Sequence, residues 1–285
     1  MIKLCTIDLD GTLFDKNKKV SDENKKAISL AKQNGCKIVI ATGRPYPGIL
    51  NLIKELNLNE PGDFIICYNG SKIINTNTHE YVFVNTMSGK DVKELYQESK
   101  RLGVNFHAFR KNEELITDEY NPYTDVEMTI NNLDCTLVNF NDIKDDDEFL
   151  KCMMVSSDEN VTRCIEKINP IYPEKYSMVR SAKIFLEFLA PGIDKGSGLE
   201  FMANYYGISM DETMAIGDAG NDLSMILKAH IGVAMDNSFP NIKEAANYIT
   251  TSNEESGVAH AINKFINHFD TVWLKWTVLK KTIKS

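Results

Sequence analysis

Short apolar runs that each stop on a polar, glycine-bearing turn constrain this chain more than any other feature. The first, KLCTIDLDGT, carries two aspartates, Asp8 and Asp10, directly ahead of Gly11 and Thr12. Lys37–Ala41 (KIVIA) ends in Thr42-Gly43-Arg44, Phe64–Tyr68 (FIICY) in Asn69-Gly70, and Thr213–Ile216 (TMAI) in Gly217-Asp218. Ile231–Met235 and Tyr248–Thr251 are further strand-like runs. Helix signals separate them. Ser21 reads as an N-cap with Asp22 and Glu23 in the first turn and Gly35 at the far end, and Pro47–Leu58 reads as helical. Leu199, Met202, Ala203 and Tyr206 make one apolar helix face stopped by Gly207. β-Branched strands alternating with helices predict a parallel sheet covered on both faces, a doubly wound α/β fold built by both ends of the chain.

Between about residues 85 and 190 the grammar changes. Lys90–Leu102 is amphipathic, with Val92, Leu95, Tyr96, Ser99 and Leu102 on one face. Strand candidates follow at 104–109, 113–118, 136–140, 151–156, 175–180 and 183–189, two close pairs of them reading as hairpins. The acidic run Asp145-Asp146-Asp147-Glu148 falls between elements. This α+β pattern predicts a second domain, 85–190, inserted into a discontinuous first domain of 1–84 and 191–270. The chain would cross near Asn85–Gly89 and Ala190–Asp194. Residues 271–285 stand apart, with four lysines and the two tryptophans, Trp273 and Trp276. They read as a docked or partly disordered terminus, a self-association surface or a membrane-surface anchor.

The chain has 285 residues, 43% hydrophobic and 25% charged, which is ordinary for a soluble globular protein. A formal net charge of −8 and the lack of a basic stripe argue against a nucleic-acid partner. The six cysteines form no CxxC pair, and several sit in apolar runs, so buried free thiols are expected. There is no signal-peptide pattern and no apolar run long enough for a membrane span, so a cytoplasmic setting is expected. Nothing in the sequence sets the oligomeric state.

In a doubly wound sheet, ligands gather outside the carboxyl ends of the strands. The loops there hold Asp8–Thr12, Thr42–Arg44, Asn69–Ser71 and Gly217–Asp222. Residues i and i+2 of a strand share a face, so Asp8 and Asp10 can share one pocket. Asp218 and Asp222 add carboxylates and Asn221 an amide. Converging carboxylates repel unless a cation lies among them, and oxygen-only ligands beside phosphate favour Mg²⁺. Thr42 and the amides near Gly11 and Gly43 can donate to phosphate oxygens, and Lys195 can neutralise further charge. A carboxylate can also act as nucleophile. GxxxxGK[ST] and GxGxxG are both absent, which removes the main support for nucleotide-binding folds.

The pieces DLDGTL (8–13), ATGR (41–44), DKGSGL (194–199) and GDAGNDLSMI (217–226), in that order, resemble the haloacid dehalogenase (HAD) superfamily and, within it, the Cof-type phosphatases. The resemblance covers about residues 1–268 and implies a Rossmann-like HAD core with an α+β cap as the insert. It implies that Asp8 is the nucleophile and Asp10 the general acid and then base. It also implies that Mg²⁺ is held by Asp8, the Asp10 carbonyl and Asp218, with Asp222 as a ligand or as a holder of metal-bound water. Phosphate would be bound by Thr42, Gly43, Lys195 and Asn221. The implied activity is hydrolysis of a small phosphorylated metabolite, such as a sugar phosphate, through an aspartyl-phosphate. Alternatives are a phosphotransferase or mutase with the same intermediate, or a non-catalytic sugar-phosphate sensor. Arg44 reaches the phosphate or ties its loop to a neighbouring carboxylate. Glu187 is a hinge residue or an edge-strand charge. Asp236 stands where the family more often has glycine, and the five histidines fall into no ligand spacing.

Overall fold

The computed structural model describes residues 1–168, 170 and 172–267. The tail at 271–285 lies outside them, and so does His268. The first part of the chain forms β1 (Leu4–Ile7), α1 (Asp22–Gln33), β2 (Lys37–Ala41), α2 (Leu50–Glu55), β3 (Phe64–Cys67), β4 (Lys72–Asn75) and β5 (Tyr81–Val84). Ser21 caps α1 by accepting from the Asn24 amide, as its sequence signal predicts.

The insert runs β6 (Met87–Ser88), α3 (Gly89–Leu102), β7 (Asn105–Arg110), β8 (Leu115–Thr117), α4 (Pro122–Asn131), β9 (Cys135–Leu137), β10 (Glu148–Val155), α5 (Asp158–Ile168), β11 (Ser177–Ala182) and β12 (Phe185–Leu189). The chain then completes the first sheet with α6 (Lys195–Tyr206), β13 (Thr213–Gly217), α7 (Leu223–Lys228), β14 (Ile231–Ala234), α8 (Pro240–Ala245), β15 (Tyr248–Ile249) and α9 (Gly257–Phe265).

The core sheet has the order β15-β14-β13-β1-β2-β3-β4-β5. Strands β15 to β3 in that order pair in parallel, while β4 and β5 add antiparallel. The parallel expectation therefore needs an antiparallel edge, which short returns after β3 can make without a crossover helix. The cap sheet has the order β11-β12-β10-β7-β8-β9, with β6 also on β10. Both expected hairpins, β7–β8 and β11–β12, are present. The acidic run is not wholly between elements, because Glu148 opens β10. All six cysteines are buried free thiols.

One face of the cap sheet packs on the core. Phe109, Leu115, Leu150, Met153, Val155 and Phe185 join the apolar cluster of Tyr68 and Ile74. A bulge at Leu150 shifts the register of β10 against β7, and Lys151 projects into that interface with 2% exposure. Ile216, fully buried in β13, stacks between β1 and β14. Ile216→Ala should cost about 2–5 kcal/mol of unfolding free energy, the range for truncating a buried aliphatic side chain, measured by urea denaturation.

Candidate active site

Parallel register brings the loops together. Ile7 lies level with Ile216 on one side and Ile40 on the other, so the residues that follow each strand emerge at one edge. The Asp8 amide still donates to the Ile216 carbonyl at 3.0 Å. The chain then turns, with the Leu13 amide bonded to the Asp8 carbonyl and the Phe14 amide to the Leu9 carbonyl. Asp8 and Asp10 do line one cavity, but a turn rather than strand pleating brings them there. Gly11 makes that turn possible: its φ is +86°, and a Cβ would sit 2.4 Å from Asp218 Oδ2.

Lys195, the first residue of α6, is fully buried and donates to Asp8 Oδ1 at 2.5 Å and Asp222 Oδ1 at 2.6 Å. Asp222 Oδ2 accepts from the amides of Asp218 and Ala219, each at 2.9 Å. Asp218 Oδ1 accepts from the Thr12 hydroxyl at 2.7 Å. Burial and then Asp222 push the Asp8 carboxyl well up, with Lys195 offsetting only part of this. Asp218 is pushed to about 7, by burial first and Asp222 second. Burial would lower Lys195, but the Asp222 and Asp8 carboxylates outweigh it and hold the ammonium charged.

Asp10 is in the opposite electrostatic state. Burial raises its carboxyl, but Arg44 and Lys18 overcome that and hold it at about 2. Arg44 grips it bidentately, Nε and Nη2 each at 2.7 Å, and Lys18 Nζ lies at 2.6 Å. Of the two roles open to Arg44, the structure has the tie to a neighbouring carboxylate. Its third bond, Nη1 to the Ile130 carbonyl at 3.1 Å, reaches the cap. Thr42, buried, accepts from the Arg44 amide, and with Gly43 it lines the cavity.

Asn221 donates to Asn69 Oδ1 at 3.0 Å, and Asn69 donates to Glu187 Oε2 at 2.8 Å. Glu187 is 3% exposed and paired with Lys151 at 3.1 Å, so it is an interior charge on β12 and not an edge-strand one. Lys151 also donates to the Gly43 carbonyl at 3.2 Å. Lys18, Glu127, Asn131, Lys151 and Ser181 belong to the site although no motif flagged them, and Asn69, from the loop expected at the end of β3, joins it through Asn221. A lysine interrupting the apolar strand EFLKCMMV was the available signal for Lys151. Asp236 pairs with Lys243 at 3.0 Å, on the exposed side.

Three carboxylates, Asp8, Asp218 and Asp222, offer oxygens within 4.8 Å of one another. The profile of haloacid dehalogenase-like hydrolases matches residues 5–262. The chain belongs to the haloacid dehalogenase superfamily. YxeH of Bacillus subtilis is 40% identical over 272 residues, covering 93% of this chain and 99% of its own. The 5-amino-6-(5-phospho-D-ribitylamino)uracil phosphatase YcsE of the same organism is 32% identical, covering 93% and 96%. A haloacid dehalogenase-like hydrolase from Bacteroides thetaiotaomicron has the same architecture, with a TM-score of 0.78 and 35% identity, over 93% of this chain and 99% of that one. This HAD hydrolase is therefore an enzyme closely related to the Cof-type phosphatases, with a Rossmann-like core and an inserted cap.

The HAD carboxylate cluster fits a hard divalent cation. Asp8 and Asp218 each keep one oxygen that no described group takes, whereas both oxygens of Asp222 are spent on Lys195 and two amides. One ammonium among three carboxylates leaves negative charge uncompensated, which an oxygen-seeking cation relieves. Among the described residues no helix is long and apolar enough to cross a membrane.

The raised carboxyls give a sign to the pH dependence. Asp218 titrates near 7 in the folded protein, above its ordinary value, so the native state keeps a proton the unfolded chain has released. Without a divalent cation, stability therefore falls as pH rises from about 4 toward 7. Mg²⁺ requires the ionised form, so its stabilisation should be larger at about pH 8 than at about pH 6. Melting temperatures with Mg²⁺ and with chelator at both pH values check this; an equal shift at both would contradict it.

Proposed function

We propose that this protein hydrolyses a small phosphate monoester, probe substrates being sugar phosphates, with Asp8 as nucleophile and Mg²⁺ as cofactor. The observation that carries the reading is the Asp8 carboxylate: one oxygen is fixed by Lys195, and the other is left free at the cavity. Asp8 Oδ2 attacks phosphorus, the ester P–O bond breaks, and an aspartyl-phosphate forms as the alcohol leaves. Asp10 delivers the proton to the departing oxygen. A water then attacks the phosphorus, Asp10 takes its proton, and phosphate departs with Asp8 regenerated.

As Arg44 and Lys18 stand in the structure, Asp10 is an anion and too weak a base to hold a proton. A phosphate dianion that draws either cation toward itself raises Asp10 and lets it carry the proton. Thr42, Gly43, Lys195 and Asn221 take the phosphoryl oxygens in this reading. Asp8, Asp218 and the Asp10 carbonyl would hold Mg²⁺, and Asp222 orients Lys195 and the 218–219 amides. When bound, the ion supplies charge neutralisation for the transferring group. We assign the cap to residues 85–190 and the core to 1–84 and 191–270. The cap excludes bulk water from the intermediate. The sugar-phosphate class is consistent with YcsE, whose name carries a ribityl phosphate.

Phosphate release from a panel of esters, with Mg²⁺ and with chelator, tests the proposal. Asp8→Asn should lower kcat by roughly a thousandfold or more, the scale for removing a covalent nucleophile. It should remain folded in chelator, because Asp222 still matches Lys195 and the substitution removes a carboxylate that burial and Asp222 disfavour. Retained turnover in Asp8→Asn, or release indifferent to chelator, would overturn the assignment.

A further inference from the structure

Helix α4 buries a polar stripe beside its apolar contacts, Tyr123, Val126 and Met128, which pack partly buried on the core cluster. Thr124, Glu127 and Asn131 fall at i, i+3 and i+7 and are buried, with exposures of 0%, 4% and 2%. Ile130, about 100° round the helix from Asn131, is 41% exposed. Buried polar side chains need polar partners, so this stripe faces something polar. Thr124 is accounted for by His107, whose Nε2 lies 2.9 Å from the hydroxyl. Glu127 and Asn131 instead line the cavity of about 200 Å³ that Asp8 and Asp10 floor.

The two are only partly satisfied. Asn131 Nδ2 donates to the Glu127 carbonyl at 3.0 Å and to Glu127 Oε1 at 3.1 Å. Its Oδ1 is buried with no hydrogen-bond partner, and no described group donates to Glu127 Oε2. A buried acceptor without a donor costs roughly 1–3 kcal/mol. Burial raises the Glu127 carboxyl, with Lys151 opposing and Glu187 adding.

The cations around the cavity are already matched. Lys195 serves Asp8 and Asp222, Arg44 and Lys18 serve Asp10, and Lys151 serves Glu187. Glu127 is the carboxylate left over among the described residues that line the cavity. Lys151 Nζ donates to the Gly43 carbonyl and is ion-paired with Glu187 at 3.1 Å, which leaves it at least one proton to donate. The cap side thus offers two free acceptors and one donor.

We propose that Glu127 and Asn131 form the subsite for the leaving group, and that it selects a neutral, polyhydroxylated alcohol while rejecting a second anionic group. A hydroxyl both donates and accepts, which matches Asn131 Oδ1 and Glu127 Oε2 on one hand and Lys151 on the other. An ammonium would meet Lys151 as well as Glu127, and a second phosphate would meet Glu127 without a free cation. This rests on the phosphatase reading for its substrate's other end.

The test compares wild type with Glu127→Gln and Asn131→Ala. Probes are sorbitol 6-phosphate, glucosamine 6-phosphate, fructose 1,6-bisphosphate and p-nitrophenyl phosphate. In Glu127→Gln, the ratio of kcat/KM for sorbitol 6-phosphate to that for p-nitrophenyl phosphate should fall at least about tenfold, the size of losing a buried charged hydrogen bond. The bisphosphate-to-sorbitol ratio should rise, a gain that misfolding does not produce. Unchanged ratios in both variants overturn the subsite, and so does a wild-type preference for glucosamine 6-phosphate. If wild type released no phosphate from any probe, the phosphatase reading would fail by itself. Calorimetric binding of sorbitol 6-phosphate would then decide the subsite: about tenfold weaker in Glu127→Gln supports it, and equal affinity overturns it.

Discussion

Lys195 is the interaction on which the rest of the site depends. A fully buried ammonium survives only if its charge is matched, and it is matched by carboxylates from two distant parts of the chain. Asp8 follows the first strand, Asp222 follows β13, and Lys195 opens the helix by which the chain returns from the cap. That triangle fixes the N-terminus of α6 against the sheet edge. Close packing enforces it, because a Cβ on Gly196 would lie 2.8 Å from the Ser224 backbone. The same triangle leaves Asp8 with one committed oxygen and one available, an asymmetry that a nucleophile needs.

A second set of contacts decides how the cap meets this edge. Glu187, Lys151 and the Ile130 carbonyl come from cap strands β12 and β10 and from helix α4. They reach Asn69, Gly43 and Arg44 of the core. Ser71 adds a hydroxyl bond to the Leu150 carbonyl at 2.8 Å. These partners are the loops that hold the expected phosphate ligands, so cap position and site geometry are linked by hydrogen bonds as well as by the apolar interface. Arg44 stands at the junction: it holds the Asp10 carboxylate in the core while reading the end of α4 in the cap.

Much of this was legible beforehand, and the limits are physical. The strands that end in Asp8, Thr42 and Asp218 announce themselves, since buried parallel strands must be apolar throughout and their exits polar. The helix face of Lys90–Leu102 was equally readable, and the structure starts that helix on a capping box of Ser88 with Asp91. Helix α4 was not anticipated, although Asn121 and Pro122 give it an N-cap and a first-turn proline. Its most buried stripe, Thr124, Glu127 and Asn131, is polar, and its apolar residues Tyr123, Val126 and Met128 are only partly buried, so no clean apolar periodicity marks it. Strands β4 and β5 were not anticipated either: they return antiparallel after β3 with no helix between, outside the strand–helix alternation that marked the other core strands.

The sequence by itself determined the core: alternating elements, the loops at the strand ends, and the carboxylates, lysine and asparagine that occupy them. Local periodicity and turn chemistry encode these, and they act over a few residues at a time. Only the tertiary structure decided that Asp10 is gripped by Arg44 and Lys18, that Asn69 joins Asn221 to Glu187, and that Glu127 and Asn131 face the cavity. Those outcomes depend on the distance between segments far apart in the chain. Burial and neighbouring charge then set the state of each side chain, and neither is written in its neighbours along the sequence.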